Sequence, residues 1–205
     1  MLSAFVHFSP KDEKPKLESG NWIIKDINVD NVDHFYMYNF RNGIWQTGQP
    51  ATSVSFDNVN ATGILNAFYV EGDPELLFNM SIQNSSFTFR EGADNKDDTF
   101  EGAKLLSNDF FYAKSFNQLS LKKVTFGKRN TSFLLICESG NKVIMDKVKF
   151  NTGKDLQPFR FNKVKNIDLN KTFLNNLDIT CKTLKPVRIV TNQPVENYSN
   201  IPPDL

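Results

Sequence analysis

The stretch Val54-Ser55-Phe56-Asp57-Asn58-Val59 carries a short pattern that recurs along the chain. Apolar and polar residues alternate over four positions, Asn or Lys follows, and a small or β-branched residue ends the pattern. Further copies lie at residues 27–32, 80–85, 119–124, 143–148 and 167–172. The first residues of successive copies are 27, 26, 39, 24 and 24 positions apart, and a period of this size is typical of a solenoid.

Each copy alternates with a period of two, which is the pattern of a β-strand and not of a helix face. A step of about two dozen residues leaves room for one or two more short strands and their turns. The sequence therefore predicts an all-β fold, a right-handed parallel β-helix (a solenoid of about six to seven coils). Residues 91–104 account for the longest step as an insertion, and residues 91–99 within it are polar and acidic.

The chain divides into three predicted segments. Residues 1–21 are a partial strand and a charged loop, residues 22–191 are the β-helix, and residues 192–205 are a Pro-rich tail. The first eight residues lack the basic start and the cleavage site of a signal peptide, and they are too few to span a membrane. Because no amphipathic helix is present to cap the first coil, we expect the chain to be the C-terminal fragment of a longer protein.

Composition favours an ordinary globular domain. The 205 residues are 40% hydrophobic and carry a net charge of +1, with basic and acidic residues spread along the chain. Without a dense basic stripe, nucleic acid is not a predicted partner. The 19 phenylalanines are explained by inward aromatic stacks. Cys137 and Cys181 are predicted to be small buried hydrophobes rather than a disulfide, and neither a cofactor nor a metal site is predicted.

The fifth position of the pattern is Asn in the first three copies and Lys in the last three. These residues are Asn31, Asn58, Asn84, Lys123, Lys147 and Lys171. Asn tolerates left-handed backbone geometry, so the asparagines are predicted to stack as an amide ladder inside a turn, each bonding its neighbour's backbone. Lysines cannot stack while buried, so this turn must face water in the later copies.

Several coils resemble a known family. Residues 54–63 (VSFDNVNATG), 67–75 (AFYVEGDPE) and 80–87 (MSIQNSSF) resemble the late coils of glycoside hydrolase family 28, which contains the polygalacturonases. Residues 111–126 and 153–161 resemble the coils that follow. The resemblance implies a pectin-lyase-like β-helix and a family that hydrolyses pectic polysaccharide with inversion, which needs an acid and a base on opposite faces of the sugar.

The catalytic motifs of that family are missing from this chain. They are Asn-Thr-Asp, Gly-Asp-Asp, Gly-His-Gly and Arg-Ile-Lys, and they precede the coils matched here. Asp97-Asp98 lies in a polar loop, His34 lacks flanking glycines, and Arg188-Ile189-Val190 lacks the lysine. No catalytic residue is therefore assigned, and whether the chain is an enzyme stays open.

Two groups of residues are candidate carbohydrate contacts. Trp45 lies in a Gly/Pro loop where its ring could stack on a sugar, with Gln46 or Gln49 hydrogen-bonding hydroxyls. The alternative for Trp45 is a hydrophobic lid on the coil. Glu71 and Asp73 belong to a carboxylate cluster round a Gly-Asp-Pro turn, and turn formation alone also explains these residue types.

Two functions are therefore expected. The first is the C-terminal β-helix portion of a pectin-type glycoside hydrolase that lacks its catalytic coils. The alternative is a non-catalytic β-helix that binds carbohydrate or forms an adhesin or spike. The expected partner is a polysaccharide or oligosaccharide, and the resemblance implies an extracellular or periplasmic location, although no signal peptide lies in the chain.

Overall fold

The computed structural model describes most of the chain. Its described residues are 3–8, 20–39, 51–90, 111–129, 134–152, 159–175, 177–178, 189–191 and 197–199. They form strands and connections, with no helix among them. The strands are β1 (Ser3–Phe8), β2 (Asn21–Asp30), β3 (His34–Asn39), β4 (Ser53–Ile64), β5 (Asn66–Glu71), β6 (Phe78–Phe89), β7 (Phe111–Arg129), β8 (Leu135–Asp146), β9 (Lys149–Thr152), β10 (Phe159–Asn170), β11 (Phe173–Leu174), β12 (Leu177–Asp178), β13 (Ile189–Thr191) and β14 (Asn197–Ser199).

The strands stack in parallel from one coil to the next, and the predicted parallel β-helix is confirmed. The described pairings are parallel, with the exception of β11 and β12, which pair antiparallel. Each long strand bends and so supplies two sides of its coil, or three sides in the case of β7. The stack also includes β1, which pairs with β3, and β13 and β14, which pair with β10. The last of these strands lies within the segment predicted as a tail.

Three sides can be defined from the register. Side 1 comprises residues 21–25, 53–57, 79–83, 118–122, 142–146, 166–170 and 197–199. Side 2 comprises residues 27–30, 59–64, 85–89, 124–129, 149–152 and 173–174. Side 3 comprises residues 3–8, 34–39, 66–71, 111–114, 135–138, 159–162 and 189–191.

The core lies inside the coils and is rich in phenylalanine, as predicted. Phe87, Phe126 and Phe150 stack with ring centroids 5.4 and 5.0 Å apart, and each is almost completely buried. Side 1 adds alternating inward residues such as Val54 and Phe56. Because consecutive coils place like residues above each other, the core is a set of continuous rows. Cys137 lies in one of these rows and is a buried free cysteine.

The corner between sides 1 and 2 is built from one left-handed residue in each coil. We call it corner 1, and its φ angles run from 47° to 57°. Its residues are Asp26, Asn58, Asn84, Lys123, Lys147 and Lys171. Five of the six are the residues expected from the pattern.

The predicted register of the first copy is wrong. Trp22 pairs with Val54 and Ile27 pairs with Val59, so the stretch stacked on Val54–Val59 is residues 22–27 and not residues 27–32. Asn31 is left-handed, with a φ of 54°, but it lies beside Gly63 at a different corner.

The predicted amide ladder is also corrected. Asn58 donates from Nδ2 to Oδ1 of Asp26 at 2.8 Å, and Asn84 donates to Oδ1 of Asp57 at 2.8 Å. Both asparagines are exposed, so their partners are carboxylates at the surface and not the backbone inside a turn. Lys123, Lys147 and Lys171 are exposed, as predicted.

Candidate functional site

The outer surface of side 3 brings ionisable and aromatic side chains together. Strands β5, β7, β8 and β10 alternate here between core residues and outward residues, because side chains along a strand point to opposite faces. One outward row is Met37, Tyr69, Tyr112, Ile136 and Arg160. The next is Glu71, Lys114, Glu138 and Asn162.

Tyr112, Glu138 and Arg160 form a hydrogen-bonded network that spans three coils. The Tyr112 hydroxyl donates to Oε2 of Glu138 at 2.9 Å. Arg160 donates from Nη2 to Oε1 of the same carboxylate at 3.3 Å. The side chains of Arg160 and Glu138 keep 35% and 18% of their surface exposed, so the network is partly open to solvent. We call these three residues the Tyr112 patch.

An aromatic pair supports the Tyr112 patch from one side. The rings of Tyr69 and Tyr112 stack with centroids 5.2 Å apart and an angle of 18° between planes. Tyr69 is buried together with Met37, in a small apolar cluster separate from the main core. One ring face of Tyr112 is therefore committed to Tyr69, and its hydroxyl end is the part aimed at Glu138.

The electrostatics of this surface are balanced. Glu71 and Glu138 flank Lys114 in register, with their Cα atoms two strand spacings apart, roughly 9–10 Å. Burial, and then the negative charge of Glu138, raise the pKa of Tyr112. The phenol therefore keeps its proton and acts as a hydrogen-bond donor. Such an arrangement offers donors and acceptors to a polar ligand.

The residues predicted from the sequence fall in three places. Trp45, Gln46 and Gln49 lie outside the described residues. Glu71 lies in the outward row described above and is 5% exposed. Asp73 is buried, and its Oδ1 accepts from the backbone N–H groups of Glu75 at 2.7 Å and Leu76 at 3.4 Å. Asp73 thus holds the turn, and the sugar contacts of all five residues stay predictions.

The sequence reasoning missed Tyr112, Glu138 and Arg160. The signal that could have found them is the repeat itself. Tyr112, Ile136 and Arg160 are 24 residues apart, as are Lys114, Glu138 and Asn162, and these equal steps place them in two adjacent outward rows. A single charged residue between Phe159 and Phe161 is also typical of a strand with one buried and one exposed face.

Four further findings concern metal binding, membrane crossing and two buried side chains. Among the described residues, no group of three His, Cys, Asp or Glu side chains is placed to hold a metal ion. A search of the same residues for a helix long and apolar enough to cross a membrane finds none. His34 is buried at the start of β3, and burial of the Cys137 thiol raises its pKa.

Comparisons with protein-family models, with curated proteins and with solved structures find no match to this chain. The relationship to glycoside hydrolase family 28 is therefore still a prediction, as are the pectic activity and the location outside the cytoplasm.

Proposed function

We propose that this β-helix is a carbohydrate-binding protein that holds a sugar chain against the Tyr112 patch. The observation that carries the proposal is the partly exposed network of Tyr112, Glu138 and Arg160 on the outside of side 3. It combines an aromatic body, a carboxylate acceptor and a guanidinium donor. Sites for small polar ligands use a few such groups to orient the ligand.

The parallel stack suits a linear polymer. Like positions recur every strand spacing, about 4.8 Å, along the solenoid axis. Consecutive sugar units running along that axis would lie next to Tyr112 on one coil, beside Glu138 on the next coil, and next to Arg160 on the third. The pectin-type hydrolase scaffold is the second reading, supported only by the resemblance of residues 54–87, 111–126 and 153–161.

Affinity electrophoresis in gels that contain polygalacturonate, xylan or dextran tests the proposal. We expect one or more of the polysaccharides to retard the wild-type protein. Tyr112→Phe and Arg160→Gln should each weaken retention about fivefold, since a hydrogen bond is worth about 1 kcal/mol. Ser120→Ala on side 1 is the matched control and should leave retention unchanged.

Two results would count against this function. If Tyr112→Phe, Arg160→Gln and Ser120→Ala are retained equally, the Tyr112 patch is not part of the binding site. If no polysaccharide tested retards the protein, carbohydrate binding is not its function. Release of reducing ends from polygalacturonate by the same protein would replace binding with hydrolysis, and would favour the second reading.

A further inference from the structure

Corner 1 changes its chemistry halfway along the solenoid. In the first three coils it carries Asp26, Asn58 and Asn84, and in the last three it carries Lys123, Lys147 and Lys171. The backbone is the same throughout, because all six residues are left-handed. We call the three exposed lysines the lysine ridge.

The left-handed backbone at the three lysines of the ridge is energetically unfavourable. A left-handed conformation is unfavourable for residues other than Gly, with Asn and Asp as the tolerated exceptions because their short polar side chains bond locally. Asn58 and Asn84 use this tolerance and also donate hydrogen bonds to carboxylates at 2.8 Å. A lysine in that place gives up both advantages, so the fold alone would favour Asn in the later coils as well.

The lysine ridge is also costly electrostatically. The register stacks Lys123, Lys147 and Lys171 one strand spacing apart, about 4.8 Å between Cα atoms. Two more exposed lysines, Lys122 and Lys149, lie beside the corner. Like charges this close repel each other, as at paired positions across strands.

Little negative charge offsets this repulsion. Asp146 lies in the row of Lys122 and accepts a hydrogen bond from Asn170 at 2.7 Å. The last three coils therefore place five lysines and one aspartate around corner 1. In the first three coils the same corner has Lys25, Asp26 and Asp57. The whole chain has a net charge of only +1, so this corner carries a local excess of positive charge.

We propose that the lysine ridge is a binding site for a sulfated polysaccharide that runs along the solenoid axis. Left-handed residues other than Gly cluster at functional sites, and at this corner the strain coincides with stacked positive charge. The site lies at the corner of sides 1 and 2, whereas the Tyr112 patch lies on side 3. The proposal therefore goes beyond the function proposed above and does not depend on it.

The surroundings of the lysine ridge favour a polysaccharide over other polyanions. Proteins that bind single-stranded nucleic acid stack bases on aromatic side chains. Besides Lys122 and Lys149, the outward residues next to the ridge are instead mainly hydroxyl, amide and carboxylate side chains, with one partly buried aromatic ring. They are Thr125, Asn170, Asp146 and Phe173. These groups suit the hydroxyls of a sugar.

The charge density favours sulfation. The five lysines and one aspartate give four net positive charges over three consecutive coils, which is more than one charge per coil. A sugar unit in an extended chain is about as long as the spacing between two coils. A polymer with one carboxylate per sugar therefore supplies about one charge per coil. A polymer with two sulfate groups per sugar matches the ridge more closely.

The test replaces the three lysines by the residue that the earlier coils use. The variant is Lys123→Asn/Lys147→Asn/Lys171→Asn, and the matched control is Lys128→Asn/Lys163→Asn/Lys165→Asn. The control removes the same charge from exposed lysines outside corner 1, and its Lys163 is also left-handed, with a φ of 55°. Binding of fluorescent dextran sulfate, polygalacturonate, neutral dextran and a single-stranded oligonucleotide is measured by anisotropy.

We expect wild type to bind dextran sulfate more tightly than polygalacturonate, and neutral dextran not at all at this site. Each exposed ion pair is worth a factor of roughly two to five, so the triple variant should bind dextran sulfate about ten- to a hundredfold more weakly. The melting temperature of the variant should equal or exceed that of wild type, because Asn suits the corner. Added salt should weaken wild-type binding.

The proposal is overturned if the control variant loses as much dextran sulfate binding as the lysine-ridge variant, or if the oligonucleotide binds more tightly than dextran sulfate. A lysine-ridge variant that melts lower than wild type would mean that the lysines serve the fold. The lysine-ridge variant should leave the retention of the protein by neutral polysaccharide unchanged, which separates failure of the ridge from failure of the Tyr112 patch.

Discussion

Gly140 lies where a methyl group would collide with the core, which makes Gly140→Ala a direct test of the stacking. In register, Gly140 is paired with Phe116 of the preceding coil, whose ring is fully buried. A Cβ at Gly140 would lie 2.7 Å from Cε1 of Phe116 and closer still to Cζ and Cε2. The ring must therefore move, and the close-packed core leaves it little room.

The cost can be given an order of magnitude. Overpacking a core costs about 1–3 kcal/mol, and the fully buried ring points to the upper end, about 3 kcal/mol. For a domain of this size, 1 kcal/mol lowers the melting temperature by about 2–4 °C, so the expected loss is about 6–12 °C. Gly127→Ala is the matched control, because a Cβ there meets Cα of Thr88 at 3.2 Å and needs only a small shift.

A double-mutant cycle with Phe116→Leu tests the cause. The shorter side chain vacates the space that the ring occupies, so Gly140→Ala should cost at least 1 kcal/mol less in the Phe116→Leu background than in wild type. Urea unfolding followed by circular dichroism gives the four free energies of unfolding. An equal cost in both backgrounds would refute the contact with Phe116 as the reason, and no cost in wild type would refute the register.

Three other predictions concern buried groups. In a Cys181→Ser variant, burial should make Cys137 react with a thiol reagent far more slowly in the native protein than in urea, and equal rates would contradict its burial. Burial raises the pKa of Tyr36 and Tyr112, so the folded state keeps protons that the unfolded state loses above about pH 10. Stability should therefore be complete below pH 10 and fall as the pH rises, and urea unfolding at pH 9 and 11 should show a smaller fall in Tyr36→Phe. Phe126→Ala removes the middle ring of the aromatic stack and should cost about 3–5 kcal/mol in urea unfolding; a loss below about 1 kcal/mol would mean that the stack is not continuous.

The sequence alone was enough to predict the stack of coils but not the register of its first copy. Residues 27–32 match the pattern because side 2 also alternates and also ends in a left-handed Asn31. Alternation followed by a left-handed residue therefore marks a corner without saying which corner it is. The register is fixed by the partner strand, and the apolar residues Trp22 and Ile24 are the ones that stack on Val54 and Phe56.

The candidate site was harder to predict, because its members come from different coils. Glu138 is 26 residues from Tyr112 and 22 residues from Arg160, and the three meet only through the register of β7, β8 and β10. In the sequence, the candidate sugar contacts stand out in loops, at Trp45 and at the Gly-Asp-Pro turn. Asp73 lies in that turn and uses its carboxylate to hold it. The network lies instead on outward positions of short aromatic strands, and the sequence pattern of these strands indicates only a scaffold.

Corner 1 shows where such a fold leaves room for function. Inward positions are constrained by the rows of the core, so a change at one coil disturbs its neighbours on both sides. At the corner the fold constrains the backbone, while the side chain extends into solvent. Among residues that carry a side chain, Asn fits that constraint best, as Asn58 and Asn84 illustrate. A run of lysines there departs from the best fit in consecutive coils, and a requirement outside the fold, such as binding a polyanion, accounts for that departure better than packing does.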